Sequence, residues 1–159
     1  MPVLTDRLGK EHPQPEHDSR MLYRMSMCDA MALALHELTS LPLGLFRGYF
    51  PDPDGDEGEE AYQDCHAVVI LDSQIPRWLD VDGIQSGIPV DRLSLDPLGD
   101  SVRWELVPAT SEEVLEAFTV EGVAEHDIAR AREFIAQDAV LAKAVRDVIS
   151  ARSDGSRYT

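Results

Sequence analysis

Cysteine is scarce in this chain: there are two in 159 residues, Cys28 and Cys65. That is too few for a disulfide framework, so the fold must rest on its core, with free thiols as in a cytoplasmic protein. Basic residues are scarce too. Fourteen Lys and Arg stand against 30 Asp and Glu, a formal net charge of −16. This balance excludes recognition of nucleic acid through its phosphates, which needs clustered Lys and Arg. It also opposes docking to an anionic membrane surface. Self-repulsion of this size favours a monomer or small oligomer and attracts a basic partner. No run approaches the apolar length of a membrane span. The opening Met1-Pro2-Val3-Leu4-Thr5-Asp6-Arg7 has no apolar segment behind it, so no signal peptide is expected. There is no glycine-rich phosphate loop and no G-x-S-x-G. Nothing in the chain calls for a cofactor.

What is present is an ordinary globular composition, 43% hydrophobic and 28% charged. A chain of this size buries roughly two thirds of its unfolded surface, enough for one unstapled core. Residues 1–20 show no hydrophobic period and are expected to form a flexible arm or strap, with His12 and His17 solvated. Residues 21–151 should form a single α+β domain, and 152–159 a frayed tail.

The first strong helix spans 26–39, with Ser26 and Asp29 in the spacing of a capping box. Ala30 to Leu35 and Leu38 make it apolar nearly all round, as a buried helix would be. Thr39-Ser40-Leu41-Pro42 stops it. Leu43 to Phe50 reads as a strand. Residues 51–64, with seven acids and no base, read as a polar loop. Ala67 to Leu71 reads as a buried strand starting near His66, and Arg77 to Val81 as the second arm of a hairpin. Residues 82–100, rich in Gly, Pro and Asp, read as a long loop. Val102, Trp104 and Leu106 alternate as a further strand. Thr110-Ser111-Glu112-Glu113 opens a helix that Gly122 breaks. A long amphipathic helix follows from about Ala124 to Ala151, its stripe marked by Ile128, Ala131, Ile135, Val145 and Ile149. The expected architecture is an antiparallel sheet of about four strands, with the Cys28 helix packed on it and C-terminal helices covering one side.

Three residues fall where a thiol site needs them. Cys28 sits in the first turn of a buried helix, where unpaired N–H groups and the dipole favour a thiolate and can hold an oxyanion. The alternative is a small core cysteine. His66 begins an apolar strand and could take the thiol proton; the alternative is a satisfied strand-end histidine. Cys65, one residue earlier, is expected on the opposite face of the pleat. In Arg77-Trp78-Leu79-Asp80-Val81-Asp82-Gly83, Trp78, Asp80 and Asp82 share a face. A turn centred at Ser73 sets Asp80 opposite His66, and one centred at Gln74 sets Asp82 there. Either acid could fix the imidazole tautomer. Trp78 is a cleft candidate and Tyr23 a candidate oxyanion donor.

Cys28-Asp29-Ala30-Met31-Ala32-Leu33-Ala34, His66-Ala67-Val68-Val69 and Trp78-Leu79-Asp80 resemble the transglutaminase-like core of the papain-like cysteine superfamily. The resemblance covers roughly residues 24–83. It departs at Ser26-Met27, where the family often has Gly, and at Val68, where it often has an aromatic. It implies Cys28 as nucleophile, His66 as general base and Asp80 as orienter. It also implies a protease, deamidase or acyltransferase acting on an amide-type bond in a protein or peptide, although the superfamily has inactive members too.

Other features are weaker. Asp52, Asp54 and Asp56 match the first ligands of an EF-hand loop, but Glu57 holds the glycine position and Pro53 intrudes. A solvated loop is the reading preferred; lying between the Cys28 helix and the His66 strand, it could line the cleft mouth and select a basic substrate segment. Cys28, Cys65, His66 and His36 lack zinc-site spacing, and His36 lies about 12 Å along the helix from Cys28. A second class of function fits the charge: a non-catalytic acidic interaction or inhibitor protein on the same fold, such as a bacterial or phage accessory factor.

Overall fold

The structure is a computed structural model and describes residues 3–5, 11–13, 20, 22–24, 27–72, 74–88, 103–118 and 125–153. Ser26, His17, Val102 and Gly122 lie outside the described residues. The described strands are β1 (Val3–Thr5), β2 (Glu11–Pro13), β3 (Leu43–Pro51), β4 (Glu60–Asp72), β5 (Arg77–Asp80), β6 (Gly83–Ser86) and β7 (Arg103–Ala109). The described helices are α1 (Cys28–Thr39), α2 (Ser111–Ala117), α3 (Glu125–Gln137) and α4 (Ala139–Ser153). None of them is long and apolar enough to cross a membrane.

The protein is α+β. Its main sheet has five antiparallel strands in the order β6-β5-β4-β3-β7, and β1 and β2 form a separate antiparallel pair within the region read as a flexible arm or strap. The main sheet exceeds the expected four strands because β6 forms inside the stretch read as loop. Asp80 pairs with Gly83, so Val81 and Asp82 alone make the turn. Gly83 takes a φ of 91°, a backbone state open to glycine at little cost.

The acidic loop is shorter than the sequence suggests. β3 and β4 pair out to Pro51 and Glu60, leaving only residues 52–59 as the turn. Side chains from the neighbouring strands hold this extension together. Arg47 bonds Asp64 at 2.8 Å and lies 4.0 Å over the Tyr62 ring. Arg103 lies 4.0 Å over the Tyr49 ring and pairs with Glu60. Cross-strand pairs of this kind supply what alternation of apolar residues does not.

Helix α1 touches β3, β4 and β5 on one side and α3 and α4 on the other. That sandwiching explains its all-round apolar sequence. Leu35 of α1, Leu43, Leu45, Val69 and Leu79 of the sheet, and Ile135 and Val148 of the outer helices share its core. A smaller cluster of Phe46, Val68 and Trp78 is also buried, with Cys65, Trp104 and Leu106 packed against it.

Two helix expectations are corrected. Met27, not Ser26, is the N-cap of α1, and it makes no side-chain cap; the Asp29 carboxylate instead accepts the Ala30 N–H at 2.9 Å. The long C-terminal helix is two helices. Asp138 interrupts it, accepting the Leu141 N–H at 3.0 Å as the cap of α4. The break shifts the phase of the stripe, so Leu141 and Val148 are buried while Ile149 is exposed. The Thr110–Glu113 capping box of α2 forms with both of its hydrogen bonds.

Candidate active site

Cys28 is the first residue of α1 and is buried. Its sulfur lies at the margin of the sheet. β5 pairs only with Val69 to Asp72 of β4, so β4 has no β5 partner at His66 and Ala67. The Ala67 N–H donates to Cys28 Sγ at 3.5 Å instead. Strand N–H groups lie in the plane of the sheet. The sulfur therefore takes the position a further β5 carbonyl would have filled.

His66 and Asp80 are 0% and 3% exposed. Their closest atoms, Nε2 and Oδ2, are 3.0 Å apart. The other ring nitrogen, Nδ1, is buried and makes no hydrogen bond of regular geometry with the described residues. The group near enough to act on the ring besides Asp80 is the Cys28 thiol, as both hydrogen-bond partner and charge. Burial by itself would lower the imidazole pKa. The hydrogen bonds and charges of Asp80 and Cys28 outweigh it and push the pKa up to about 9. Trp78 packs edge-on to the His66 ring, with centroids 5.9 Å apart, and its own Nε1 donates to the Gly87 carbonyl at 3.0 Å. It is a wall behind the imidazole, held in place at both ends.

The choice of acid follows from the turn. Val69 pairs with Leu79 and Ile70 with Trp78. Continuing that register would set Asp80 across from Val68 and Asp82 across from His66. But β5 ends at Asp80 and the chain turns at once into β6. Asp80 then reaches His66 on the diagonal, a distance cross-strand side chains can span. Asp82, the alternative orienter, is turned elsewhere: Arg24 bonds both its carboxylate oxygens at 2.8 Å.

Other expected positions need correction. Tyr23, the candidate oxyanion donor, packs instead on Phe134 of α3, with ring centroids 5.2 Å apart. Cys65 does not diverge from the face of His66 as strict alternation requires. A β-bulge between Phe46 and Arg47 of β3 and the facing residues of β4 adds a residue there, and Cys65 packs on the cluster that contains Trp78. Burial pushes its thiol up to about 11, with help from the Asp64 charge. Both cysteines are free. His36 is held at the far end of α1, its Nδ1 2.6 Å from the Leu41 carbonyl oxygen. Asp52 of the EF-hand-like stretch accepts the Asp54 N–H at 2.9 Å as part of the turn. Among the described residues no group of three or more His, Cys, Asp or Glu is arranged to hold a metal ion.

Sequence reasoning missed Arg20, Arg24 and the Ala67 N–H. Two bases just ahead of a buried helix, in a chain this acidic, were the available signal for the first two. An open cavity of about 530 Å³ lies between β3, β4 and α2, and none of Cys28, His66 and Asp80 lines it. Leu45, the strand partner of Ala67, forms part of its wall with Phe118; Asp64 lines it paired with Arg47, and Glu113 and Glu116 add two further acids.

No protein-family model, curated protein or solved structure matches this chain.

Proposed function

We propose that the protein is a thiol-dependent hydrolase or acyltransferase of the transglutaminase-like, papain-like kind, acting on an amide-type bond. The observation that carries this reading is the buried Asp80–His66 pair, 3.0 Å apart, on the strand whose next N–H, that of Ala67, bonds the Cys28 sulfur at the start of α1. The Cys28 thiol gives its proton to His66, and the Asp80 carboxylate holds the imidazolium that forms. The Cys28 sulfur attacks the carbonyl carbon, forming the S–C bond, and the C=O electron pair moves to oxygen. The N–H groups of Met27, Ala30 and Met31 are already bonded, whereas no described residue accepts the Cys28 N–H. That N–H is the candidate oxyanion donor. Collapse breaks the C–N bond, and the leaving amine takes the His66 proton. Water, or an acceptor amine, then gives its proton to His66 and attacks the thioester carbonyl; the S–C bond breaks, releasing the acid or new amide, and the Cys28 sulfur leaves and takes back the proton from His66.

The substrate side of the proposal is a protein or peptide with a basic segment. Glu113 and Glu116 of the cavity and the acids of the turn at residues 52–59 would attract such a segment. Two free thiols suit a reducing, cytoplasmic setting.

Alkylation with iodoacetamide at pH 7, followed by mass spectrometry, tests the reading. Cys28 should react faster than Cys65, and His66→Ala should abolish the difference. Equal and slow labelling of both thiols would instead favour a non-catalytic acidic binding protein.

A further inference from the structure

We infer that Arg24, aided by Arg20, is a positioning residue for the candidate site: the two guanidiniums grip Asp82 and so fix the turn that holds Asp80 against His66. The inference rests on the thiol-enzyme reading above. Arg24 closes a two-pronged pair, Nε to Oδ2 and Nη2 to Oδ1 of Asp82, each at 2.8 Å. Arg20 adds a contact to Asp82 Oδ1 at 3.3 Å and another to the Val81 carbonyl oxygen. The gripped residue reaches the site through its backbone. Its N–H donates to Asp80 Oδ1 at 2.9 Å, while Asp80 Oδ2 is the atom bonded to His66. One oxygen of the acid is thus tied to the clamped turn and the other to the imidazole.

The grip has leverage because Asp80 ends its strand. Only Val81 and Asp82 separate it from β6, so displacement of Asp82 pulls directly on Asp80. The clamp is anchored in turn. The second guanidinium nitrogen of Arg20 holds Asp138, the cap of α4. Arg24 and Asp82 are 27% and 15% exposed, so the pair is only partly screened by water. Arg20 and Arg24 also lie on the segment that runs directly into Cys28. A single stretch of chain therefore delivers the nucleophile and secures the acid two groups away from it. A lysine cannot reproduce the fork, which makes the conservative variant informative.

The test uses the full chain as Arg24→Ala, Arg24→Lys, Asp82→Asn and the Arg24→Ala/Asp82→Asn double variant. The imidazole of His66 is titrated by NMR, and Cys28 and Cys65 alkylation are timed at pH 7. A residue that only adds stability would leave the His66 titration unchanged in folded protein. We expect the His66 pKa to fall from about 9 in Arg24→Ala and in Asp82→Asn. Cys28 alkylation should slow roughly tenfold in each, as loss of a supporting contact commonly does. Arg24→Lys should be intermediate, and the double variant no slower than the slower single, because both remove the same contact. Folded variants that titrate His66 like the wild type overturn the inference. If Arg24→Ala does not fold, Asp82→Asn, which keeps the backbone N–H and nearly the same shape, decides it. A wild-type Cys28 no faster than Cys65 overturns the enzymatic reading, while a His66 pKa that still falls in Asp82→Asn leaves the clamp standing.

Discussion

Asp80 and His66 meet as a buried pair whose atoms approach to 3.0 Å although the two residues are not directly opposite in the sheet. The diagonal arises because β5 is cut off at Asp80 by the turn into β6. A carboxylate at the last position of a short strand can lean past its own register, and the neighbouring part of β4 has no other strand to cover it. The same truncation leaves room for the first turn of α1. One short strand thereby makes space for both partners of the imidazole.

The pair predicts a pH dependence of stability. His66 binds its proton more tightly folded, at about 9, than its ordinary value of 6.5. The stabilisation is therefore fully present below pH 6.5 and is lost as the pH rises through 9. Its size is of the order of 3 kcal/mol. Asp80→Asn weakens the hydrogen bond and removes the charge by which Asp80, together with Cys28, raises the pKa. Urea unfolding at pH 6 and pH 9.5 should show the wild type losing more stability than Asp80→Asn over that interval. Equal losses in both would show that the imidazole is not held charged by this acid.

The thiols should separate by chemistry as well as by position. Cys65 has its pKa pushed up to about 11 by burial and by the Asp64 charge, and its Sγ points to the Gln63 carbonyl at 3.5 Å. Its alkylation should stay slow at neutral pH and quicken only as the pH approaches 11. Cys65→Ser should leave the rate at Cys28 within about a factor of two, since the loss is of one weakly bonded sulfur. A large drop at Cys28 in this variant would mean that the two sulfurs share a function.

The legible parts of this fold were those written in local chemistry. Thr110 and Glu113 announce a capping box by spacing alone, and the apolar circumference of α1 announces burial on two sides. Cys28 and Asp80 could be singled out because each sits at the end of an element that residue pattern defines, and His66 because it opens an apolar run, although β4 in fact starts at Glu60 and His66 lies in its middle. What escaped depends on contacts between distant residues. The strand extension past His66 is held by Arg47, Arg103 and two tyrosines, which no period reveals. The bulge at Cys65 breaks a strict two-residue alternation, and nothing in that local sequence marks it. The helix break at Asp138 has no Gly or Pro to signal it, only an aspartate that doubles as a cap and an Arg20 partner.

Gly44 tests how tightly the second face of the sheet is packed. A Cβ there would lie 2.7 Å from the Ile70 side chain and 3.0 Å from Leu106. Gly44→Ala should cost about 1–3 kcal/mol through overpacking. Shortening the obstructing side chain should return part of that loss, so Gly44→Ala/Ile70→Val should be nearer the wild type than the sum of its single variants. Thermal melts of the four proteins measure the coupling, and strict additivity would mean that the backbone moves apart instead.

Asp138 carries two separable roles. Its Oδ2 accepts the Leu141 N–H at 3.0 Å, and its other oxygen receives Arg20 from the segment ahead of α1. The residue is 6% exposed, so both contacts are shielded from water. Asp138→Asn keeps an oxygen for the cap and loses most of the attraction to Arg20, whereas Asp138→Ala loses both. The cap alone is worth about 1 kcal/mol, and a partly buried ion pair left without its acid adds a comparable amount. Denaturant midpoints should therefore fall in the order wild type, Asn, Ala. If the Asn and Ala variants are equally destabilised, the cap contributes nothing, and Arg20 is the sole reason an aspartate stands where α3 gives way to α4.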